Sequence, residues 1–396
     1  MTATRKTLAS VTQRTGLGRL GTPVATDEGE SLSIRPLTDQ PDLLFKEYRP
    51  GIFGPEDDKR IDRLVGLPRR LSQRDRATLT VSSCWPVSRV VDGVRTVGVV
   101  FPRAPGKYTA SLQLATGQSA PKPLPVDWLA KPAAKQRERG LPSPTFKQRL
   151  TVCRDLTAVA AVLESEGLVY GDWSYANAFW STSDFSGYLI DVDTCAFDSR
   201  PWVRTPNWED PLTPQSVLVD NRTDRYRLAL LVARCLTGER EQADARRQVV
   251  LISRREGQSH LGEILNRTLT ASSRTARPSI AEIHAALGRP SAPVSSGSTT
   301  GSANVRGWTD IKKVQQKAMQ PPASPRPAPP PPPRAATRPS TAPRTGVTPP
   351  AVKTKSSTGT TTGSKATPAS NTDMVIGCVM LFAIVAIVVL VFVVLF

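Results

Sequence analysis

The chain has 396 residues, with 52 Lys and Arg against 34 Asp and Glu for a formal charge of +18. That length holds one domain of about 275 residues and a tail, but not two large domains. Five scattered cysteines (Cys84, Cys153, Cys195, Cys235, Cys378) contain no C-x-x-C, and the two histidines, His260 and His284, sit in no nucleophile constellation, which argues against zinc, a disulfide framework and histidine-based covalent chemistry.

In chain order, residues 1–14 read as a flexible start, followed by Gly16, Gly18 and Gly21 at G-x-G-x-x-G spacing with Pro23 beyond. An apolar strand, Asp42-Leu43-Leu44-Phe45, ends in Lys46-Glu47. Ile61, Leu64 and Val65 have helical spacing and predict a helix over Glu56–Val65. Cys84-Trp85-Pro86 and Gly98-Val99-Val100-Phe101-Pro102-Arg103 come next, and Trp85, Trp173 and Trp180 read as packing residues.

The segment Leu168–Phe197 carries the chemistry. Asp172 and Asn177 lie in the short loop D-W-S-Y-A-N, which sets a carboxylate and an amide on one side of a cleft. Ala178-Phe179-Trp180 and Tyr188-Leu189-Ile190, joined by a polar turn with Gly187, predict a hairpin whose second strand delivers Asp191 beside that loop. Asp193 points to the same face if the strand persists, so both carboxylates are in reach of a metal. Phosphoryl transfer needs oxygen ligands for a divalent ion and a carboxylate to orient the attacking hydroxyl. Asn177 and Asp191 fit Mg²⁺, or Mn²⁺ in its place, and Asp172 fits the catalytic carboxylate. Farther on, Asp224 stands near the start of a helix, Glu209 lies in N-W-E-D-P, and Arg277-Pro-Ser-Ile-Ala-Glu-Ile begins the last helix.

In this order the motifs resemble those of protein kinases, from about Thr15 to Leu287. The match is best to a divergent bacterial, actinobacterial-type kinase-like group with a G-D-x-S catalytic loop, a D-x-D metal motif and a W-P … G-x-V-x-P pattern. The resemblance implies an α+β, two-lobed fold with a small β-rich N-lobe (15–104) and a helical C-lobe (105–287). It implies that Gly16, Gly18, Gly21 and Lys46 hold ATP phosphates, and that backbone groups from Phe101 through Arg103 to Ala104 receive adenine. Asp224 would hold the catalytic loop, and Glu209 would pair with Arg277. The chain departs from the pattern in four places. Tyr170-Gly171 replaces His-Arg, Ser174 replaces the usual catalytic-loop Lys, Asp193 replaces the D-F-G glycine, and the helix Glu56–Val65 has no Glu at the position that would face Lys46. Asp57 or Asp58 then best fits the turn facing Lys46.

Residues 288–373 are rich in Pro, Ser, Thr, Ala and Gly and carry 12 Lys and Arg against two Asp, so ten of the net +18 sit in this stretch. It reads as a disordered tether with polyproline character. Its charge suits an anionic leaflet and a cytoplasmic side. Met374–Phe396, 23 uncharged and mostly aliphatic residues, is long enough to cross a hydrocarbon core of about 30 Å and reads as a single tail-anchoring transmembrane helix. With so much of the charge in the tether and no interleaving of aromatic and basic residues, nucleic acid is not an expected partner. The chain therefore reads as a membrane-anchored serine/threonine protein kinase acting on an unidentified protein. The alternative is a pseudokinase scaffold that binds nucleotide or partners without catalysis.

Overall fold

The computed structural model describes residues 8–288, except 28, 115, 202–204 and 215–217. The expected tether (288–373) and apolar segment (374–396) lie outside these residues, apart from Gly288. Among the described residues no helix is long and apolar enough to cross a membrane.

The fold is α+β, with a β-rich N-terminal part and a helical C-terminal part. Six strands form the N-terminal sheet: β1 (Val11–Gln13), β2 (Ala25–Thr26), β3 (Ser31–Leu37), β4 (Gln40–Tyr48), β5 (Ser88–Asp92) and β6 (Arg95–Pro102), in the order β1-β5-β6-β4-β3-β2. All pairings are antiparallel except β1 with β5. β1 falls within the stretch expected to be flexible. It is recruited because β5 would otherwise present an open edge, and Ser88 Oγ adds a 2.9 Å bond to Thr12 Oγ1.

Alternation along β4 sorts its side chains. Leu43 and Phe45 pack with Leu17, Leu37, Val90 and Val100 on one face, while Lys46 and Tyr48 turn to the other. That second face is covered by α1 (Pro55–Gly66), whose Ile61 and Val65 pack with Tyr48 and Val99, in agreement with the helical spacing in the sequence. The central strands approach closely because residue 98 is glycine. A Cβ there would lie 2.1 Å from the Lys46 carbonyl oxygen and 2.6 Å from the Phe45 ring, so any side chain would push β6 off β4.

After α2 (Gln73–Ser82) the chain bridges to the C-terminal part, where the Cys84 N–H donates to the Leu189 carbonyl at 3.0 Å and Trp85 Nε1 donates to Leu64 O at 2.8 Å. A hairpin, β7 (Thr109–Gln113) and β8 (Ser119–Pro123), leads through short α3 (Ala133–Glu138) to α4 (Phe146–Ser165), which a Thr145–Gln148 capping box starts. Two small ladders follow: β9 (Leu168–Val169) with β12 (Ala196–Phe197), and β10 (Ala178–Trp180) with β11 (Gly187–Leu189). The second is the hairpin expected from the sequence, with Ala178 opposite Leu189. Helices α5 (Asn221–Thr237), α6 (Gln242–Arg255), α7 (Ser259–Leu269) and α8 (Ile280–Gly288) complete the part. α5 is its axis: Leu228, Leu230, Leu231, Val232 and Leu236 are buried, each stabilising by about 1.5–3 kcal/mol.

Candidate active site

The loop between β9 and β10 is held from below by α5. Asp220 caps that helix by accepting from the N–H groups of Arg222 and Thr223, which leaves Asp224, one turn in, free of the capping role. Asp224 instead accepts from the backbone N–H of Tyr170 at 2.7 Å and of Gly171 at 2.8 Å. Burial pushes its carboxyl up to about 7, against the pull of those two donors and of the Arg227 and Arg200 guanidiniums. Arg227 also donates to the Gly171 carbonyl, and the Tyr170 hydroxyl donates to Ile190 O at 2.8 Å. The backbone that presents Asp172 is thus fixed at both its N–H and C=O groups.

Asp172 is gripped by two donors. Asn177 Nδ2 donates to Oδ2 at 2.8 Å and Thr205 Oγ1 donates to Oδ1 at 3.1 Å. Burial raises the carboxyl above the usual carboxylate range, and these two hydrogen bonds oppose the rise. With its NH₂ group engaged by Asp172, Asn177 offers a cation its amide oxygen.

Strand β11 ends at Leu189, and Asp191 takes a left-handed backbone, φ 55°, that starts the tight turn 192–194. This conformation is uncommon for a non-glycine residue and gives the chain the bend that aims two successive acids at one lysine. Lys46 Nζ lies 3.0 Å from Asp191 Oδ1 and 3.0 Å from Asp193 Oδ2. The Tyr48 hydroxyl donates to Asp193 Oδ2 at 2.9 Å. Burial pulls the Lys46 ammonium toward neutrality, but the two carboxylates together outweigh it and hold the charge. Asp193 is 4% exposed and Asp191 45% exposed, so Asp193 is sealed under the lysine while Asp191 keeps an open side.

The acid facing Lys46 therefore comes from neither Asp57 nor Asp58. Both sit in the first turn of α1, where Asp57 accepts from the Gly54 N–H at 3.0 Å and Asp58 lies 3.6 Å from Arg89, the usual employment of acids at a helix start. The helix reaches the site through Arg60, which donates to the carbonyls of Asp193 at 2.7 Å and Cys195 at 2.9 Å.

A cavity of 310 Å³ opens among Lys46, Asp172, Asp191, Thr194, Arg200 and the turn at Gly29-Glu30 between β2 and β3. Gly16, Gly18 and Gly21 do not reach it. The Leu20–Gly21 stretch zips onto the far end of β3, with Gly21 N–H donating to Pro36 O at 2.8 Å, on the order of 20 Å along the strand from Ser31. The turn that does line the cavity is at Gly29-Glu30, not the one with the three spaced glycines. Nor does the cavity include Phe101 or Arg103. Phe101 is half-buried against the core, and the Arg103 N–H is tied to Asp42 O at 2.8 Å, closing the sheet at the place expected for adenine. The partner of Arg277 also differs by one residue: Asp210, not Glu209, makes the buried two-pronged pair, at 2.6 Å on each prong.

Asp191 and Asn177 carry the oxygen donors that a hard divalent ion takes, but of the two only Asp191 lines the cavity, Asn177 being tied to Asp172. Among the described residues no group of three or more His, Cys, Asp and Glu forms a self-sufficient metal cage. Arg200, Thr205 and Glu30 were not legible as residues near this site, because their segments have neither periodicity nor motif. Asp193 was visible as a departure from D-F-G, and that departure supplies the lysine's partner.

No known protein-family model matches the chain, and no curated protein matches it.

Proposed function

We propose that the chain is a membrane-anchored phosphotransferase of two-lobed, protein-kinase-like fold, with lobes of about 15–104 and 105–287, which moves the terminal phosphoryl group of ATP to a Ser or Thr hydroxyl of a protein. The observation that carries this reading is the facing of two pairs across one cavity: Lys46 with Asp191 on one side, and Asp172 braced by Asn177 on the other.

Lys46, kept charged by Asp191 and Asp193, attracts phosphate oxygens. A Mg²⁺ ion held by Asp191 and Asn177 would offset the remaining phosphate charge. Asp172 accepts a hydrogen bond from the acceptor hydroxyl and aims its oxygen at the terminal phosphorus. A new O–P bond forms there, the bond between that phosphorus and the bridging oxygen breaks, and ADP leaves with the electron pair. The hydroxyl proton passes to Asp172 and on to solvent. The basic stretch 288–373 and the apolar stretch 374–396 complete the proposal as tether and anchor.

One observation favours the scaffold reading: the turn over the cavity carries Glu30 rather than a run of glycines, which repels phosphate unless cations intervene. Radiolabelled ATP and Mg²⁺ incubated with the full chain in detergent decide between the two. Label on the protein, absent with Asp172→Asn, supports transfer. No label with the wild type, or equal label with the variant, rejects it. Deletion of 374–396 moves the protein from the membrane fraction to the soluble one; a deleted form that stays with the membrane contradicts the anchor.

A further inference from the structure

Resting on that reading, we infer that Arg200 is the cation that meets the terminal phosphate of the bound nucleotide, filling the place that Ser174 leaves without charge.

The wall of the cavity carries two cations, Lys46 and Arg200, against Glu30, Asp172 and Asp191. Lys46 already has two carboxylates at 3.0 Å, so part of its pull on a phosphate is offset inside the protein before any ligand arrives. The developing charge of a phosphoryl group in transfer needs a donor whose charge is not offset in this way. Arg200 is the remaining candidate on the wall, and its forked guanidinium suits a phosphate better than a point charge does.

Its position is built, not incidental. The backbone N–H of Arg200 donates to Val219 O at 3.0 Å and that of Val219 returns the bond at 2.9 Å. Arg200 Nη1 reaches the Tyr170 carbonyl at 2.5 Å and Thr194 Oγ1 at 3.2 Å. This lays the side chain across the loop that carries Asp172. Its field favours the ionised form of Asp172.

The crossing is possible only because residue 171 is glycine. Gly171 has φ +71°, and a Cβ there would stand 2.5 Å from Arg200 Cδ, 3.1 Å from its Cγ and 3.2 Å from Val219 Cγ2. The glycine of the G-D-x-S loop and the arginine that follows β12 thus form one device: the loop gives up its own side chain so that a distant guanidinium can lie over it.

Calorimetric titration of the full chain with Mg·ATP and with Mg·ADP tests the assignment without relying on turnover. Wild type should bind Mg·ATP more tightly than Mg·ADP. Arg200→Met should weaken Mg·ATP by about tenfold or more and leave Mg·ADP unchanged. Arg200→Lys should recover part of the difference, and it guards against a variant that merely fails to fold. Gly171→Ala, by displacing the guanidinium, should mimic Arg200→Met. Equal losses for the two nucleotides would make Arg200 a brace of the loop and overturn the inference, as would no loss at all. A wild type that binds neither nucleotide removes the phosphotransferase reading itself and this inference with it.

Discussion

Two carboxylate–cation pairs sit in this molecule under opposite conditions. Asp210 and Arg277, 0% and 1% exposed, close on each other with two 2.6 Å bonds, and Asp210 also takes the Thr213 hydroxyl and the Leu212 N–H. Lys46 is also buried, at 6% exposed, but meets one acid that is sealed, Asp193, and one that is open, Asp191. The first pair has both oxygens of its carboxylate bonded from within and serves to pin the segment before α5 to the start of α8. The second leaves one carboxylate half-finished at the wall of a cavity. A buried ion pair that is complete is architecture; one that is incomplete on the solvent side is a place for a ligand.

The largest effect should come from opening the sealed pair. Arg277→Met leaves Asp210 buried without its cation, and denaturant unfolding should register a loss of about 3–5 kcal/mol. A loss under about 1 kcal/mol would show that the pair is not the anchor described. The pH dependence has a defined sign. Burial favours the neutral form of Asp210, but Arg277, Thr213 and the Leu212 N–H together outweigh it and hold its carboxyl below the usual value. The stabilisation is therefore present above the unfolded value near 3.9 and is lost as pH falls through the lower folded value. Arg277→Met should lose less stability on acidification than wild type does.

The open pair splits into unequal halves. Asp193→Asn removes a buried charge that faces both Lys46 and Tyr48, so it should cost roughly 1–3 kcal/mol of folding stability. Asp191→Asn should cost less than about 1 kcal/mol, since its carboxylate is half solvated. If the two variants are equally unstable, the division into a sealed and an open acid fails.

A smaller effect is expected at Asp172. Its carboxyl is raised by burial and lowered by the Thr205 hydroxyl, so Thr205→Ala should move the acid limb of the pH–rate profile upward. A limb that stays in place or moves down would mean that this hydrogen bond does not bear on the reacting carboxylate. The smallest effect is at α1. Asp58→Ala should leave Mg·ATP affinity within about twofold of wild type, because Lys46 draws its partners from Asp191 and Asp193 and Asp58 lies by Arg89. A larger drop would return Asp58 to the site.

What could be read from the sequence follows from how local each signal is. The β10–β11 hairpin was legible because its register is set by two apolar runs and a polar turn. Helix α1 was legible because Ile61, Leu64 and Val65 mark one face. Lys46 was legible because the apolar run Asp42-Leu43-Leu44-Phe45 leads into it, although the strand continues to Tyr48. The partner of that lysine was not, since a short left-handed step at Asp191, which no propensity announces, brings Asp193 to it. The turn over the cavity was missed because three spaced glycines are a weak pattern, and the β2–β3 turn is made by Asp27 and Gly29 at positive φ without a repeat. Arg200 is brought to the site by tertiary structure alone, through its bridge to Val219 and the open space above Gly171.

The measurement that bears most directly on the central claim is the Mg²⁺ dependence of ATP binding by the full chain, wild type beside Asp191→Asn, by titration calorimetry. Wild type should bind ATP with Mg²⁺ and lose most of that affinity without it, while Asp191→Asn should bind weakly in both conditions. Binding that is indifferent to Mg²⁺, or equally strong in the variant, would contradict the assignment of the open carboxylate to a metal and nucleotide site.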